Sequence, residues 1–207
     1  MRIGLACGPA PPSAELLDLL EAAGLPATSL RGAPPPALLT VADTTWLLAS
    51  GADVLRACDR AAVDLGVVGK HVLLESRHGV SELLDLGCCR DALVYADAAG
   101  ARPGRALRVA TSHPVSARAH FAATGRQVVI VAMDEPALAL GLGLADGVVM
   151  LRSRLAARVP GVDGALEIRE EVAACSARLV AGRAGRALLG ARLGDLLERL
   201  RAVVEGA

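Results

Sequence analysis

Two short stretches join glycines to charged side chains at spacings that could do chemistry. In GVVGKH (Gly66 to His71), two glycines flank two valines and lead into Lys70 and His71. A strand-to-helix turn of this composition can bring free backbone N–H groups against an anion. It is not a Walker loop, because only two residues separate the glycines and His71 stands where a Ser or Thr would meet magnesium. Glycines that simply make a tight turn are the competing reading. The second stretch, GLADGVVMLRSRLAARVPG (143–161), runs apolar residues into Asp146, continues through Val148 and Val149, and then presents Arg152, Ser153, Arg154 and Arg158. Its SRLAAR segment is expected to start a helix capped by Ser153, whose first amides suit an anion, with the arginines adding side-chain donors. Solvated arginines of an arginine-rich chain explain the same letters.

Other candidates carry less. His71 and His78, like His113 and His120, are seven apart, whereas helical metal sites favour spacings of three or four with a carboxylate nearby. Five cysteines (Cys7, Cys58, Cys88, Cys89, Cys175) form no C-x-x-C pair, so neither a disulfide framework nor a zinc site is expected. The vicinal Cys88 and Cys89 read as small buried hydrophobes, with redox activity as the alternative.

These residues need elements to position them, and the 207-residue chain alternates strand and helix patterns. MRIGLAC, TTWLLAS, VDLGVVG, DALVYAD, LRVATSH, QVVIVAM, DGVVML and SARLVAGR read as strands. Helices are expected at SAELLDLLEAAGL, capped by Ser13 and stopped by Gly24, and at ADVLRACDRAA, KHVLLES, PVSARAHFAATG and EPALALGLGL. One closing helix is expected over AGRALLGARLGDLLERLRAVVEG, and LRGAPPPALLTV reads as loop. Alternation of this kind predicts α/β architecture with mostly parallel strands. AAGARPGRA is the most linker-like stretch. Two lobes are expected, 1–97 with 170–207 and 98–169.

Apolar residues make up 53% of the chain and charged residues 21%, as in a well-cored globular protein. Trp46, Tyr95 and Phe121 are its only aromatics and the formal net charge is zero, which argues against nucleic-acid partners. No apolar run reaches the ~18 residues of a membrane span, and the apolar start is shorter than a secretory signal, so a cytosolic protein is expected.

Several motifs, in order along the chain, resemble those of one enzyme family. AAVDLGVVGKHVLLESRHGVSELLDLG (61–87), LRVATSHP (107–114), GLADGVV (143–149), SARLVAGR (176–183) and the opening GLACG…AELLDLLEAAGL are similar to segments of ATP phosphoribosyltransferases. The length resembles the short form of that family, which lacks a C-terminal regulatory domain and works with a partner subunit related to histidyl-tRNA synthetase. The resemblance implies a two-lobed fold like type II periplasmic binding proteins, with a ligand cleft between the lobes. It also implies a magnesium-dependent reaction that joins N1 of ATP to the ribose of phosphoribosyl pyrophosphate, and an oligomeric assembly.

Residue by residue, the scaffold motifs are kept while substrate-facing positions differ. Asp146 keeps the first acid of the ribose-phosphate motif, but its second acid falls on Met150, and the Thr-Gly of the phosphate loop on Arg154 and Leu155. The later Thr-Leu becomes Ala157 and Arg158, the N-terminal Lys-Gly-Arg becomes Cys7, Gly8 and Pro9, the acid of the GxD turn becomes His71, and a Cys-Arg pair becomes Asp91 and Ala92. The substrate-binding candidates are therefore Gly8, Gly66, Gly69, Lys70, His71, Asp146, Arg152, Ser153, Arg154 and Arg158, with no residue assigned to catalysis or to metal. Magnesium is expected only if the family reaction persists. Three functions remain open: a divergent member binding a phosphorylated sugar or nucleotide, a non-catalytic regulatory or structural partner, and an ordinary enzyme of histidine biosynthesis.

Overall fold

The computed structural model describes residues 1–8, 10–98, 106–155, 161 and 166–206. The chain forms β1 (Arg2–Ala6), α1 (Ala14–Ala22), β2 (Ala37–Val41), β3 (Thr44–Ala49), α2 (Gly51–Asp59), β4 (Leu65–Gly69), α3 (Lys70–Glu75) and β5 (Val80–Asp85). It continues through β6 (Asp91–Ala98), β7 (Leu107–Thr111), α4 (Pro114–Ala123), β8 (Val128–Ala132), α5 (Pro136–Gly141), β9 (Gly147–Leu151) and β10 (Leu166–Cys175). It ends with β11 (Ala177–Gly182), α6 (Arg183–Leu189) and α7 (Ala191–Glu205).

Met1–Arg90 with Ser176–Ala207 make one compact unit, and Asp91–Cys175 the other. The junctions at 90/91 and 175/176 differ from those expected at 97/98 and 169/170, for a physical reason. β6 and β10 pair antiparallel from Asp91↔Cys175 to Ala98↔Leu166, so both strands belong whole to the second sheet. The linker expected at AAGARPGRA (98–106) lies largely outside the described residues.

In the first unit the sheet order is β2-β3-β1-β4-β11-β5. Buried on both faces, β1 and β4 pair parallel at its centre, while β2, β11 and β5 run antiparallel to their neighbours. The sheets are thus mixed and not mostly parallel: the unexpected strands β2, β5 and β10 run antiparallel to their neighbours, and so do the expected β11 against β4 and β6 against β9. A continuous aliphatic core around Trp46, Leu17, Leu20 and Leu48 fills one side of this sheet. α1 buries Leu16, Leu17 and Leu20 there, with Ser13 Oγ accepting from Leu16 N–H at 3.2 Å and Gly24 taking φ +80° just past its end. The expected single closing helix is broken into α6 and α7 at Gly190, φ +51°.

The second sheet has the order β10-β6-β9-β7-β8. Ala96, Ala110, Ala139, Ala145, Val148 and Met150 cluster in one small-residue core, and Tyr95, Val109, Phe121 and Val149 in another. Beside the latter, His120 Nε2 lies 2.9 Å from Glu170 Oε2, Arg126 pairs with Glu170, and the Arg126 guanidinium stacks 4.6 Å from the Phe121 ring centre. Burial pushes the Glu170 carboxyl up, but hydrogen bonds from Arg126 and His120 outweigh it and hold it below the usual carboxylate range. A depressed folded-state pKa contributes stability above the unfolded value, near ~4.3, and that contribution is lost as pH falls through the folded value. Acid unfolding followed by circular dichroism is expected to be steeper below this range in the wild type than in Glu170→Gln. Among the described residues, no helix is long and apolar enough to cross a membrane.

Candidate functional site

β9 lies between β6 and β7 in the second sheet, and the candidate residues of this unit sit at its two ends. Asp146 immediately precedes β9. Its carboxylate accepts from Arg108 N–H (2.9 Å), Nε (3.1 Å) and Nη2 (2.8 Å), while Arg108 Nη1 donates to Gly143 O at 2.8 Å. This bidentate pair joins the starts of β7 and β9, so the aspartate is held as a structural anchor. The turn that carries Arg152, Ser153 and Arg154 follows the other end of the strand. At ~3.3 Å per residue, β9 separates the two ends by roughly 16 Å. The structure therefore does not bring Asp146 together with the arginine turn. Arg108→Ala is expected to lower Tm of the second unit, read by differential scanning calorimetry, with no change in any ligand response.

At the far end, Met150 is 7% exposed and packs within the alanine-rich cluster, against which Leu155 is half-buried. The two positions at which the family resemblance implies a ribose-binding acid and a phosphate-loop glycine thus contribute to one apolar core. Arg152–Arg154 form a single 3-10 turn, closed by Leu155 N–H on Arg152 O at 3.0 Å. Ser153 lies inside this turn and caps no helix, contrary to expectation, because Leu155 is already extended (φ −72°, ψ 100°).

Asp91, the first residue of β6, takes what Ser153 has to offer. Ser153 N–H donates to Asp91 Oδ1 at 3.2 Å and its hydroxyl to Asp91 Oδ2, while Ala92 N–H also donates to Oδ1 at 2.7 Å. A backbone amide and a hydroxyl converging on one carboxylate is the geometry with which such turns hold an anion. Here the anion is part of the chain. Arg152 pairs with Glu171 at 3.3 Å, both about half exposed, and Arg154 has no ion pair among the described residues. Arg158 lies outside the described residues.

The first-unit candidates are satisfied in a similar way. Gly66 sits mid-strand, and a Cβ there would lie 2.7 Å from Cys58 Sγ and 2.9 Å from Val54 Cγ1, so this glycine serves the close packing of α2 on β4. Lys70 Nζ donates to Glu82 Oε2 at 2.6 Å, and its N–H to Ser176 O at 3.0 Å. Gly69 ends β4 at φ −68°, and a Cβ there would meet the His71 ring at 2.3 Å. Gly8 is exposed just beyond β1.

Asp91, Glu171 and Arg108 were not among the expected site residues. The only signal for Asp91 was its standing where the resembled family has cysteine, 62 residues before the serine it holds. Magnesium needs carboxylate or phosphate oxygens. Asp91 already receives three donors and Met150 offers no oxygen, so the residues at this turn do not by themselves fit the ion.

A profile of the ATP phosphoribosyltransferase family matches residues 50–202. The ATP phosphoribosyltransferase of Rubrobacter xylanophilus is 33% identical over 192 residues, 88% of each chain. That of Symbiobacterium thermophilum is 36% identical over 169 residues, 78% of this chain and 75% of its own. Among solved structures, the ATP phosphoribosyl transferase (HisG:HisZ) complex from Thermotoga maritima superposes with TM-score 0.74 at 20% identity over the whole of both chains. The alkanesulfonate-binding protein SsuA from Xanthomonas axonopodis pv. citri matches at TM-score 0.56 and 13% identity, covering 98% of this chain and 72% of its own. These structures share the type II periplasmic-binding-protein-like α/β fold. The chain belongs to the ATP phosphoribosyltransferase family.

Proposed function

We propose that this chain is a non-catalytic member of its family that acts as a regulatory or structural subunit beside an active homologue. One observation carries the reading: Asp91 occupies the amide and hydroxyl of Ser153 at the turn where the family resemblance puts its phosphate loop. An incoming phosphate would have to displace a carboxylate anchored by its own neighbour's N–H, against like-charge repulsion. Met150 supports the same reading, because a thioether in an apolar cluster cannot accept hydrogen bonds from ribose hydroxyls. Assembly with a second protein is supported by the Thermotoga maritima relative, which was solved as a two-protein complex.

The test is turnover and melting together. Wild-type protein with ATP, phosphoribosyl pyrophosphate and magnesium is expected to form no ribosylated ATP. Its Tm is expected not to move with either substrate at millimolar concentration. Co-purification with an active homologue, and a changed rate of that homologue, are the expected positive results. Turnover by the isolated chain would overturn the proposal.

A second reading rests on Arg154, exposed and without an ion pair among the described residues, next to Arg152, whose pair with Glu171 is open to exchange. Two such guanidinium groups can hold a phosphorylated sugar or nucleotide without catalysis. A Tm rise with phosphoribosyl pyrophosphate and no turnover, abolished in Arg154→Ala, would favour it.

A further inference from the structure

Each sheet has two edge strands, whose outer backbone groups invite pairing with another chain unless charges, prolines or bulges discourage it. Three of the four edges are guarded in this way. β10 carries Glu167, Arg169, Glu170 and Glu171 and has two register shifts against β6. β5 holds Glu82 and Asp85 and shifts once against β11. β2 follows directly on Pro34, Pro35 and Pro36. β8 is the exception: its residues, VVIVA, include no charge and no proline, and it pairs with β7 without a shift.

Met133 N–H donates to Thr111 O at 3.0 Å, so Val129, Val131 and Met133 turn their amides toward β7. Val128, Ile130 and Ala132 must then turn theirs, with their carbonyls, to the open edge. Val128 and Ile130 pack in the cluster around Phe121, and Val131 in the alanine-rich cluster, while Val129 is 51% exposed. The strand is therefore anchored on its own sheet and bare along its outer side.

We propose that β8 is a self-association edge: it pairs antiparallel with β8 of a second copy of this chain, about a two-fold axis at Ile130. Only registers that set Val128, Ile130 and Ala132 against one another can form the ladder, and the one centred on Ile130 pairs the whole strand. In that register Val128 faces Ala132 of the second copy, and Val129 faces its Val131. The flanks match as well. Arg126, two residues before the strand, falls opposite Asp134, two residues after it. Asp134 is exposed and makes no ion pair among the described residues. Arg126 is 39% exposed, with Nε on Thr124, Nη2 on Glu170 and Nη1 in no hydrogen bond among the described residues. Two-fold symmetry forms this charge pair twice, and moving the centre by one residue in either direction loses both. That self-complementarity selects a second copy over an unrelated strand.

Sedimentation equilibrium of the intact wild-type chain, over about 1 to 100 µM, is expected to show monomer and dimer in exchange. Ala132→Pro removes an outward N–H and spares the ladder with β7, and Val129→Lys puts a charge on an exposed edge position. Each change acts twice in a two-fold dimer, so each should raise the dimer Kd roughly 10-fold or more, with the circular dichroism spectrum unchanged. Cysteine cross-linking reads the register. In Ile130→Cys the two Cα atoms stand about 5.5 Å apart, within disulfide reach, and mild oxidation should link them beyond the wild-type background. In Val129→Cys they lie diagonally, about 7–8 Å apart, and should not link. The cross-link and the wild-type equilibrium do not depend on either edge variant folding. A wild type that stays monomeric throughout, a dimer indifferent to both folded edge variants, or faster linking in Val129→Cys than in Ile130→Cys would each overturn the proposal. So would a monomeric wild type whose β8 amides gain hydrogen-exchange protection only on adding an active homologue, since the edge would then belong to a different partner.

Discussion

Met150→Asp is expected to destabilise the second unit by about 4 kcal/mol at neutral pH, without creating a ribose site. The methionine is 7% exposed and surrounded by Ala96, Ala110, Ala139, Ala145 and Val148, none of which offers a polar side-chain atom. Removing its buried surface forfeits about 2 kcal/mol, and the carboxylate adds a desolvation cost of comparable size after partial neutralisation. The pH dependence carries the diagnosis. An aspartate in this cluster has its folded-state pKa raised, so its penalty is full above that pKa and shrinks as pH falls toward the unfolded value near ~3.9. The Glu170 carboxyl, held low in both proteins, contributes equally to each and cancels in the difference. Urea unfolding at pH 7 and pH 5 should therefore show the gap between variant and wild type narrowing with acid. A variant as stable as wild type, with a Tm that rises on adding phosphoribosyl pyrophosphate, would mean that the position faces solvent and ligand.

That position shows how far letters alone reach. Strands whose residues are apolar on both faces, such as β4 and β9, are legible because burial leaves continuous Val-rich runs. α1 is legible from its spaced leucines and its serine cap. β2 is hidden behind Pro34, Pro35 and Pro36, although its five residues pair fully with β3. β5 and β10 are hidden because their acids find cations on other segments. Glu82 and Asp85 take Arg178 of β11, and Glu170 takes Arg126 and His120. Such pairings span tens of residues and leave no local periodicity. Asp146 illustrates the same limit from the other direction. Its motif resembles a substrate site, yet the aspartate answers to Arg108, 38 residues away. The pairing of Asp91 with Ser153 is equally non-local, and only the folded sheet, which sets β6 beside β9, brings the two residues together.

Separating the two residues has a measurable result. Asp91→Ala is expected to convert the 152–154 turn from self-occupied to open, raising its affinity for inorganic phosphate by about 10- to 100-fold. This corresponds to the ~1.5–3 kcal/mol typical of hydrogen bonds to a charged group, which the internal carboxylate no longer competes away. The freed Ser153 N–H and hydroxyl would face the phosphate, with Arg152 and Arg154 on the same turn. Stability should fall by only about 1 kcal/mol, because the loss is a few partly exposed hydrogen bonds. Isothermal titration calorimetry with phosphate reads the gain, and Asp91→Ala combined with Ser153→Ala should cancel much of it, since the serine supplies one of the donors. Asp91→Asn separates charge from shape: it retains one acceptor oxygen and the side-chain volume, so its gain should fall between wild type and alanine. Were Asp91→Ala to bind phosphate no better than wild type while folded, the turn would not be a masked anion site. The arginines would then be solvated residues on a scaffold that has lost the site altogether. A gain would instead place the block on phosphate binding in a single carboxylate, which one substitution is enough to lift.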